Sequence, residues 1–410
     1  MDLLSAFARR ALTARLARLR HGRLTLRDGT GVTSYGDPEA APLEIVVRDP
    51  RFYSAVAFGG AVGAGEAYAD GRWTTDDLTG IIRLLLRNRA SLEALETGWA
   101  RLAQPLRRLA HALNRNTKRG SRRNVGAHYD LSNEFFEAFL DDTLTYSCAL
   151  FERPGATLRE AQVAKYERMA VLLDLRPEDH VIEIGTGWGG FAMHAASRYG
   201  CRVTTTTISE AQFRLAIRRI ADAGLADRVT VLRQDYRDLR GTYDRLVSIE
   251  MVEGVGHEHF HTFFAQCAAL LAPHGRAAIQ AITIQDARYE AARREVDFIK
   301  RHIFPGSCIP SRAVLREAAA RTDLTLVQAD EIGLHYAETL RRWRANLLAN
   351  HQRIAALGFD HRFQRLWEFY LCYCEGGFLE RAIGNVQLLF AKPAAMLAAR
   401  HRAPPLEPAA

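Results

Sequence analysis

Residues 181–191 read VIEIGTGWGGF, and Gly185, Gly187 and Gly190 stand there at GxGxxG spacing. The apolar run stops at Gly185, and a helical stretch starts near Gly190. A glycine turn at such a junction lets cofactor atoms approach the backbone, and the helix start presents free N–H groups. Glu183, two residues before the first glycine, puts a carboxylate where it can hold a cationic amino group. The next strand ends in TTTTIS, with no acid for the adenosine ribose that nicotinamide folds normally provide. A second unusual stretch precedes the loop. Residues 126–151, GAHYDLSNEFFEAFLDDTLTYSCALF, gather His128, Tyr129, Phe135, Phe136, Tyr146 and Phe151 around Cys148.

These groups need a scaffold, and the chain supplies one from about residue 160. Short β-branched runs, VIEIG, RVTTTTI, RVTVL, DRLVSIEM and RAAIQAITI, alternate with helical stretches such as FAMHAASRYG. Strand–helix alternation predicts an α/β fold with an open, mostly parallel, doubly wound sheet. Two later runs, LTLVQADEI and NVQLLFAKP, add strands around a helical segment at 335–376. Residues 1–100 read as a smaller α+β domain: a basic N-terminal helix, the strand LEIVVRDP, a Gly-rich stretch and the helix DDLTGIIRLLLRNR. Acids open that last helix and arginines close it, as the helix dipole prefers. In the N-terminal helix Leu4, Phe7, Ala8, Ala11 and Leu12 share one face. Residues 101–123, broken by Pro105 and Gly120, form a basic linker, and 124–400 the catalytic domain.

Charge is local. The formal net charge is +8, but residues 1–27 and 101–123 together carry +14 and the remaining 360 positions sum to −6. Such stripes suit the anionic face of a bilayer, where each cation is worth roughly 1 kcal/mol. They equally suit a solvated surface in an arginine-rich chain. No run of eighteen uncharged apolar residues occurs, and the N-terminus lacks a clean apolar segment with a cleavage site. A cytoplasmic protein, peripheral to the inner membrane face, is expected. The six cysteines lack metal spacing, so free thiols and no metal site are expected.

The loop EIGTGWGG resembles motif I of the S-adenosylmethionine-dependent methyltransferases. AHYDLSNEFFEAFLDDTLTYSCALF, TISEAQ, QDYRDL, YDRLVSIEMVEGVG, FIKRHIFPGSCIPS and HYAETLRRW extend the likeness. Together they look like the cyclopropane-fatty-acyl-phospholipid synthase family, which includes the mycolic acid cyclopropane synthases. GGAVGAGEAYADGRWTTDDLTGIIRLLLRN resembles the amino-terminal domain of the phospholipid enzymes. The resemblance implies a class I methyltransferase (Rossmann-like) sheet and S-adenosylmethionine as cofactor. It implies that Tyr146 and Ser147 contact the methionine part beside Gly185 and Gly187. Thr207 and Gln212 would hold the ribose, and Tyr236, Arg237 and Ile249 would lie by the adenine. It also implies a bicarbonate ion beside the transferable methyl, held by Cys148, Glu253, the backbone at Ile282, and Tyr336. At position 280 this chain has Gln280 where well-studied relatives carry histidine. Glutamine can hydrogen-bond a carbonate oxygen but cannot exchange a proton near pH 7.

The implied reaction is methyl transfer to the cis double bond of an acyl chain on a phospholipid. An alkene is a weak nucleophile, so it must be aligned with the sulfonium methyl at near-attack distance. Transfer leaves a carbocation. Removing a proton from the new methyl closes a cyclopropane ring; other proton loss gives a methyl- or methylene-branched chain. Water must be excluded from the cation, so the aromatic residues of 126–151 are expected to form a lid and wall over the methyl. Plainer roles exist for several residues. Cys148 could be an ordinary buried thiol, Glu253 a helix cap, His335 a helix-start residue, and His128 with Asp130 local scaffolding. Competing classes are a nicotinamide-dependent hydride transferase and a lipid-surface binding protein without transfer activity. Nucleic acid is not an expected partner, because aromatics are not interleaved with the arginines. A homodimer is compatible with the sequence.

Overall fold

The computed structural model describes residues 2–93 and 131–396. The basic segment 101–123, His128, Tyr129 and Asp130 lie outside the described residues. Helix α1 (Leu3–Leu16) is capped by Asp2, whose side chain accepts from the Ser5 N–H. Its buried face is Ser5, Ala8 and Leu16, whereas Leu4 and Phe7 are 56% and 58% exposed. The expected apolar face is therefore corrected. The small side chains Ser5 and Ala8 are the ones turned inward. Strands β1 (Arg23–Asp28) and β2 (Gly31–Gly36) form a hairpin. β3 (Pro42–Val47) runs parallel to β1, and β4 (Trp73–Thr74) closes this four-stranded sheet. The Gly-rich stretch lies in a helix, α2 (Arg51–Ala69), interrupted at Gly60. α3 (Leu78–Arg87) starts at Asp77, which caps the Gly80 N–H, and ends in arginine as the dipole argument requires.

The main sheet has seven strands in the order β10-β11-β9-β8-β5-β6-β7. They are β5 (His180–Ile184), β6 (Arg202–Thr206), β7 (Val229–Leu232), β8 (Tyr243–Ile249), β9 (Leu271–Ile284), β10 (Thr325–Glu331) and β11 (Ile383–Ala391). β5 to β9 pair in parallel, and β11 runs antiparallel between β9 and β10. Ile182, Ile184, Leu246, Val247, Ala277 and Ile279 are buried, as strands covered by helices on both faces require. From β5 the chain passes to β6 on one side, and later to β8 on the other. This topological switch point opens a crevice at the carboxyl ends of the strands.

Helices α4 (Leu158–Leu173) and α5 (Gly190–Tyr199) share one apolar cluster with β5 and β6. On the far side α6 (Gly333–Ala349) and α7 (His361–Leu379) meet the N-terminal helices. Thr79 Oγ1 donates to Glu375 at 3.0 Å, Tyr68 Oη donates to Glu368 at 2.9 Å, and Arg83 pairs with Glu380 at 2.7 Å. One apolar cluster runs from Leu24 and Ile45 through Phe369 and Trp367 to Phe135 and Phe136. For three of the aromatics of 126–151 the expected lid is corrected by this cluster. Phe135, Phe136 and Phe139 are fully buried against Trp188, Trp343 and Trp367, so they support the wall from behind.

Candidate active site

A cavity of about 430 Å³ starts at the carboxyl ends of β5, β6 and β8. At its mouth Gly185 and Gly187 have φ of +107° and +52°, a region that favours glycine. A Cβ on Gly187 would meet only open space, so this backbone faces the cavity bare. Tyr146, Ser147, Glu183, Thr207, Gln212, Tyr236, Arg237 and Ile249 all line the same cavity. The sequence therefore named residues that the fold does bring together.

Their partners define what each can do. Glu183 is 3% exposed and accepts from Thr205 Oγ1 at 2.6 Å. Burial raises its carboxyl to about 8. Thr207 Oγ1 donates to Gln212 Oε1 at 2.8 Å, fixing that amide. The Arg237 guanidinium donates to Asp235 at 2.7 and 2.8 Å, which holds it beside Tyr236. Tyr146 Oη shares a hydrogen bond with Tyr370 Oη, and Lys165 Nζ donates to Ser147 Oγ, both at 2.8 Å. Lys165 is wholly buried; burial lowers its pKa to about 8, and the Glu250 charge works against that fall. Asp235 and Lys165 line the cavity too but were missed from sequence. A single lysine in a helix pattern carries no signal of its own.

Beyond the glycine loop, Ile282, Ile299, Phe304, Tyr336 and Phe378 continue the cavity toward Leu86 of α3. This limb is mostly apolar and aromatic. Among the carboxyl groups that border the cavity are Glu250 and Glu253. Sequence reasoning singled out only the second. Glu250 accepts from the Cys148 N–H at 3.0 Å, Gln280 Nε2 at 2.8 Å, Asn385 Nδ2 at 2.6 Å and Tyr336 Oη at 2.7 Å. Glu253 accepts a short hydrogen bond from the Ile282 N–H. Burial, and then the charge of Glu250, push its carboxyl up to about 8.

Two expectations change here. Cys148 and Gln280 are fully buried behind the cavity wall, not on it. The Cys148 thiol faces the Ala149 and Ile332 carbonyls, and burial raises its pKa well above the usual thiol value. The Ile282 N–H and the Tyr336 hydroxyl, both expected to face bicarbonate, donate to Glu253 and Glu250, while Glu253 Oε2 is buried without a hydrogen-bond partner. His335 lies in the first turn of α6, as expected of a helix-start residue, and its Nδ1 also accepts from the Phe151 N–H at 3.2 Å. Among the described residues no cluster fits a metal, the described cysteines are free thiols, and no helix is long and apolar enough to cross a membrane.

Comparisons with known proteins agree with this geometry. The family profile described as mycolic acid cyclopropane synthetase matches residues 116–388. The tuberculostearic acid methyltransferase UfaA1 of Mycobacterium tuberculosis is 39% identical over 364 residues, covering 87% of this chain and 84% of that protein. The cyclopropane-fatty-acyl-phospholipid synthase of Escherichia coli is 35% identical over 358 residues, covering 86% and 89%. Among solved structures, the mycolic acid cyclopropane synthase CmaA1, complexed with SAH and CTAB, is 33% identical. It superposes with a TM-score of 0.62 over 66% of this chain and 98% of its own. The seven-stranded sheet is thus that of a class I methyltransferase, and its cofactor is S-adenosylmethionine. This chain belongs to the mycolic acid cyclopropane synthetase family and is an S-adenosylmethionine-dependent C-methyltransferase.

Proposed function

We propose that this enzyme methylates the cis double bond of an unsaturated acyl chain carried by a membrane phospholipid, with loss of one proton. The observation that carries the reading is the continuity of the cavity, from the glycine loop into an apolar limb with carboxylates at the junction. When bound, S-adenosylmethionine supplies a methyl group on a positively charged sulfur. The residues of the chain do the rest. Gly185, Gly187 and Thr207 hold the cofactor end, while Ile282, Ile299 and Phe378 align the acyl chain and keep water out. Phe304 and Tyr336 offer ring faces to the transient cation.

Where the proton leaves decides the product. Loss from the new methyl, with its C–H electron pair bonding to the cationic carbon, closes a cyclopropane ring. A second reading gives a methyl- or methylene-branched chain without a ring. Gln280 in the place of histidine, and the likeness to a tuberculostearic acid methyltransferase, favour considering it. The test is incubation of purified protein with oleoyl phospholipid vesicles and methyl-labelled S-adenosylmethionine. Label in the lipid is expected. A ring and an exocyclic methylene have the same mass, so proton NMR of the product separates ring hydrogens from vinylic ones. Reduction of nicotinamide without lipid labelling would sink both readings.

Delivery of the lipid is proposed to use the N-terminal helix. Leu3, Leu4 and Phe7 are exposed at the start of α1, and Arg10 follows on the same side. Burying those three side chains in a bilayer contributes a few kcal/mol, at about 25 cal/mol per Å². Changing all three to serine is expected to weaken co-sedimentation with anionic vesicles at least tenfold. Raising salt should weaken wild-type binding as well. Binding indifferent to both would remove this docking mode.

A further inference from the structure

The bicarbonate that the family resemblance implies does not fit this site. Each expected donor is committed to a carboxylate of the chain itself. The Cys148 N–H, Gln280 Nε2 and Asn385 Nδ2 converge on Glu250 Oε1, and Tyr336 Oη donates to Glu250 Oε2. The Ile282 N–H goes to Glu253. A separate anion would lie against Glu250 with none of these donors to spare, an arrangement that like-charge repulsion opposes.

We propose that Glu250 replaces bicarbonate as the resident base of the reaction. A carboxylate and bicarbonate present the same pair of oxygens on a trigonal carbon, so one can take the other's hydrogen-bond set. The backbone supports a dedicated role. Glu250 follows β8 with φ of +50°, a conformation that a non-glycine side chain adopts only under strain. The gain is a carboxylate delivered from the strand end straight to the cavity. Its orientation is then fixed twice over. Gln280 Oε1 accepts from Gln387 Nε2 at 2.9 Å, across the β9–β11 ladder, and this turns the Gln280 amide nitrogen toward Glu250. An amide donor cannot lose its proton near neutral pH, so Gln280 is a positioning residue that keeps Glu250 an acceptor. Three donors occupy Oε1 while Tyr336 alone bonds Oε2, leaving lone-pair capacity on Oε2 for the substrate proton.

The step balances without another reactant. The alkene π pair bonds to the methyl carbon, the carbon–sulfur pair stays on sulfur, and the adjacent carbon becomes cationic. Glu250 Oε2 takes a proton from the cation; the freed C–H pair forms the new carbon–carbon bond of a ring, or a double bond. The proton passes to water before the next turnover. A carboxylate suffices, because a carbocation is a very strong acid.

This assignment rests on the alkene-methylation reading, and the experiment separates the two. Wild-type protein, Glu250→Gln and Glu250→Gly are compared on oleoyl phospholipid vesicles with labelled S-adenosylmethionine, in carbonate-free buffer with and without added bicarbonate. Circular dichroism and S-adenosylmethionine titration check folding and cofactor binding. Wild-type turnover is expected to change less than twofold with bicarbonate. Glu250→Gln should lose at least 100-fold in rate while still binding cofactor. Glu250→Gly should be inactive in carbonate-free buffer and recover at least tenfold with bicarbonate. As a readout apart from turnover, ¹³C-bicarbonate resonances should broaden with Glu250→Gly and not with wild type. Lipid labelling by wild type that depends on bicarbonate, or a Glu250→Gln variant of normal rate, overturns this assignment alone. No lipid labelling by wild type at all overturns the proposed function and this base with it. Should both variants misfold, the wild-type bicarbonate response and the ¹³C spectrum decide the matter by themselves.

Discussion

Glu183→Gln weakens S-adenosylmethionine binding by roughly 10- to 100-fold and abolishes most of its pH dependence; both results are expected from the burial of this one carboxyl group. The size follows from losing a charge-assisted hydrogen bond, worth about 1.5–3 kcal/mol, between Glu183 and the cofactor's cationic amino group. The pH effect follows from the ligand-free state. There, burial raises Glu183 to about 8 from an ordinary value of 4.5, so at neutral pH the group is mostly protonated. It must give up that proton to meet a cation. Affinity of the wild type should therefore rise as pH increases from about 6 toward about 8, and fall above that as the free cofactor's amino group loses its own proton. Calorimetry in buffers of different ionisation enthalpy should register the released proton. Stability has the opposite trend. Between pH 4.5 and about 8 the folded ligand-free protein holds a proton that the unfolded chain has lost, so stability falls as pH rises through that window. Glu253, also raised to about 8, adds to the same slope and keeps part of it in the variant. The glutamine side chain still accepts from Thr205 and carries no buried charge. Its ligand-free form should melt at least as high as wild type at pH 8.5. Equal affinity for both proteins, flat with pH, would show that Glu183 does not hold the amino group.

Much of this site was legible because its signals are local. VIEIG ends in glycines whose positive φ values other residues adopt only under strain, so the loop announces itself by composition. The β-branched runs feeding it could hardly be anything but buried strands, and six of the seven main strands fall within a few residues of those runs. The exception in extent is β9, which begins at Leu271, earlier than the run RAAIQAITI suggested. What escaped was set by pairing across long sequence separations. Glu250 looks like the polar end of a strand until Tyr336, Gln280 and Asn385 arrive from 30 to 135 residues away. The aromatics of 126–151 read as a lid because hydrophobicity gives no direction. Only the positions of Trp343 and Trp367 show that Phe135 and Phe136 face inward. The Gly-rich 58–73 stretch was the least legible. Glycine weakens a helix by about 1 kcal/mol per residue, and tertiary contact overrides that preference here.

That override yields the second large effect. Gly65→Ala should destabilise the protein by about 1–3 kcal/mol, and Gly65→Val by more, although alanine and valine both form helix better than glycine. A Cβ at Gly65 would lie 2.4 Å from a ring carbon of Phe298 and 2.8 Å from one of Phe369. Those rings are 0% and 3% exposed and pack on each other at 4.7 Å between centroids, so neither can step aside cheaply. Gly65 belongs to α2, Phe369 to α7, and Phe298 to the short helix Phe298–His302, beside the cavity residues Ile299 and Lys300. The contact thus ties the N-terminal helices to the wall of the apolar limb. Two consequences can be measured. Thermal unfolding of the wild type should be one cooperative transition over both regions, because they share a single apolar cluster. Gly65→Val should lower that transition by several degrees and slow lipid methylation more than it weakens cofactor binding, since the glycine loop lies away from the disturbed wall. Gly29→Ala serves as the control: a Cβ there meets nothing within 4 Å, and its effect should stay within about 0.5 kcal/mol. Two separate transitions, or a Gly65→Val variant as stable as Gly29→Ala, would mean that the N-terminal helices are an appendage and not part of the catalytic wall.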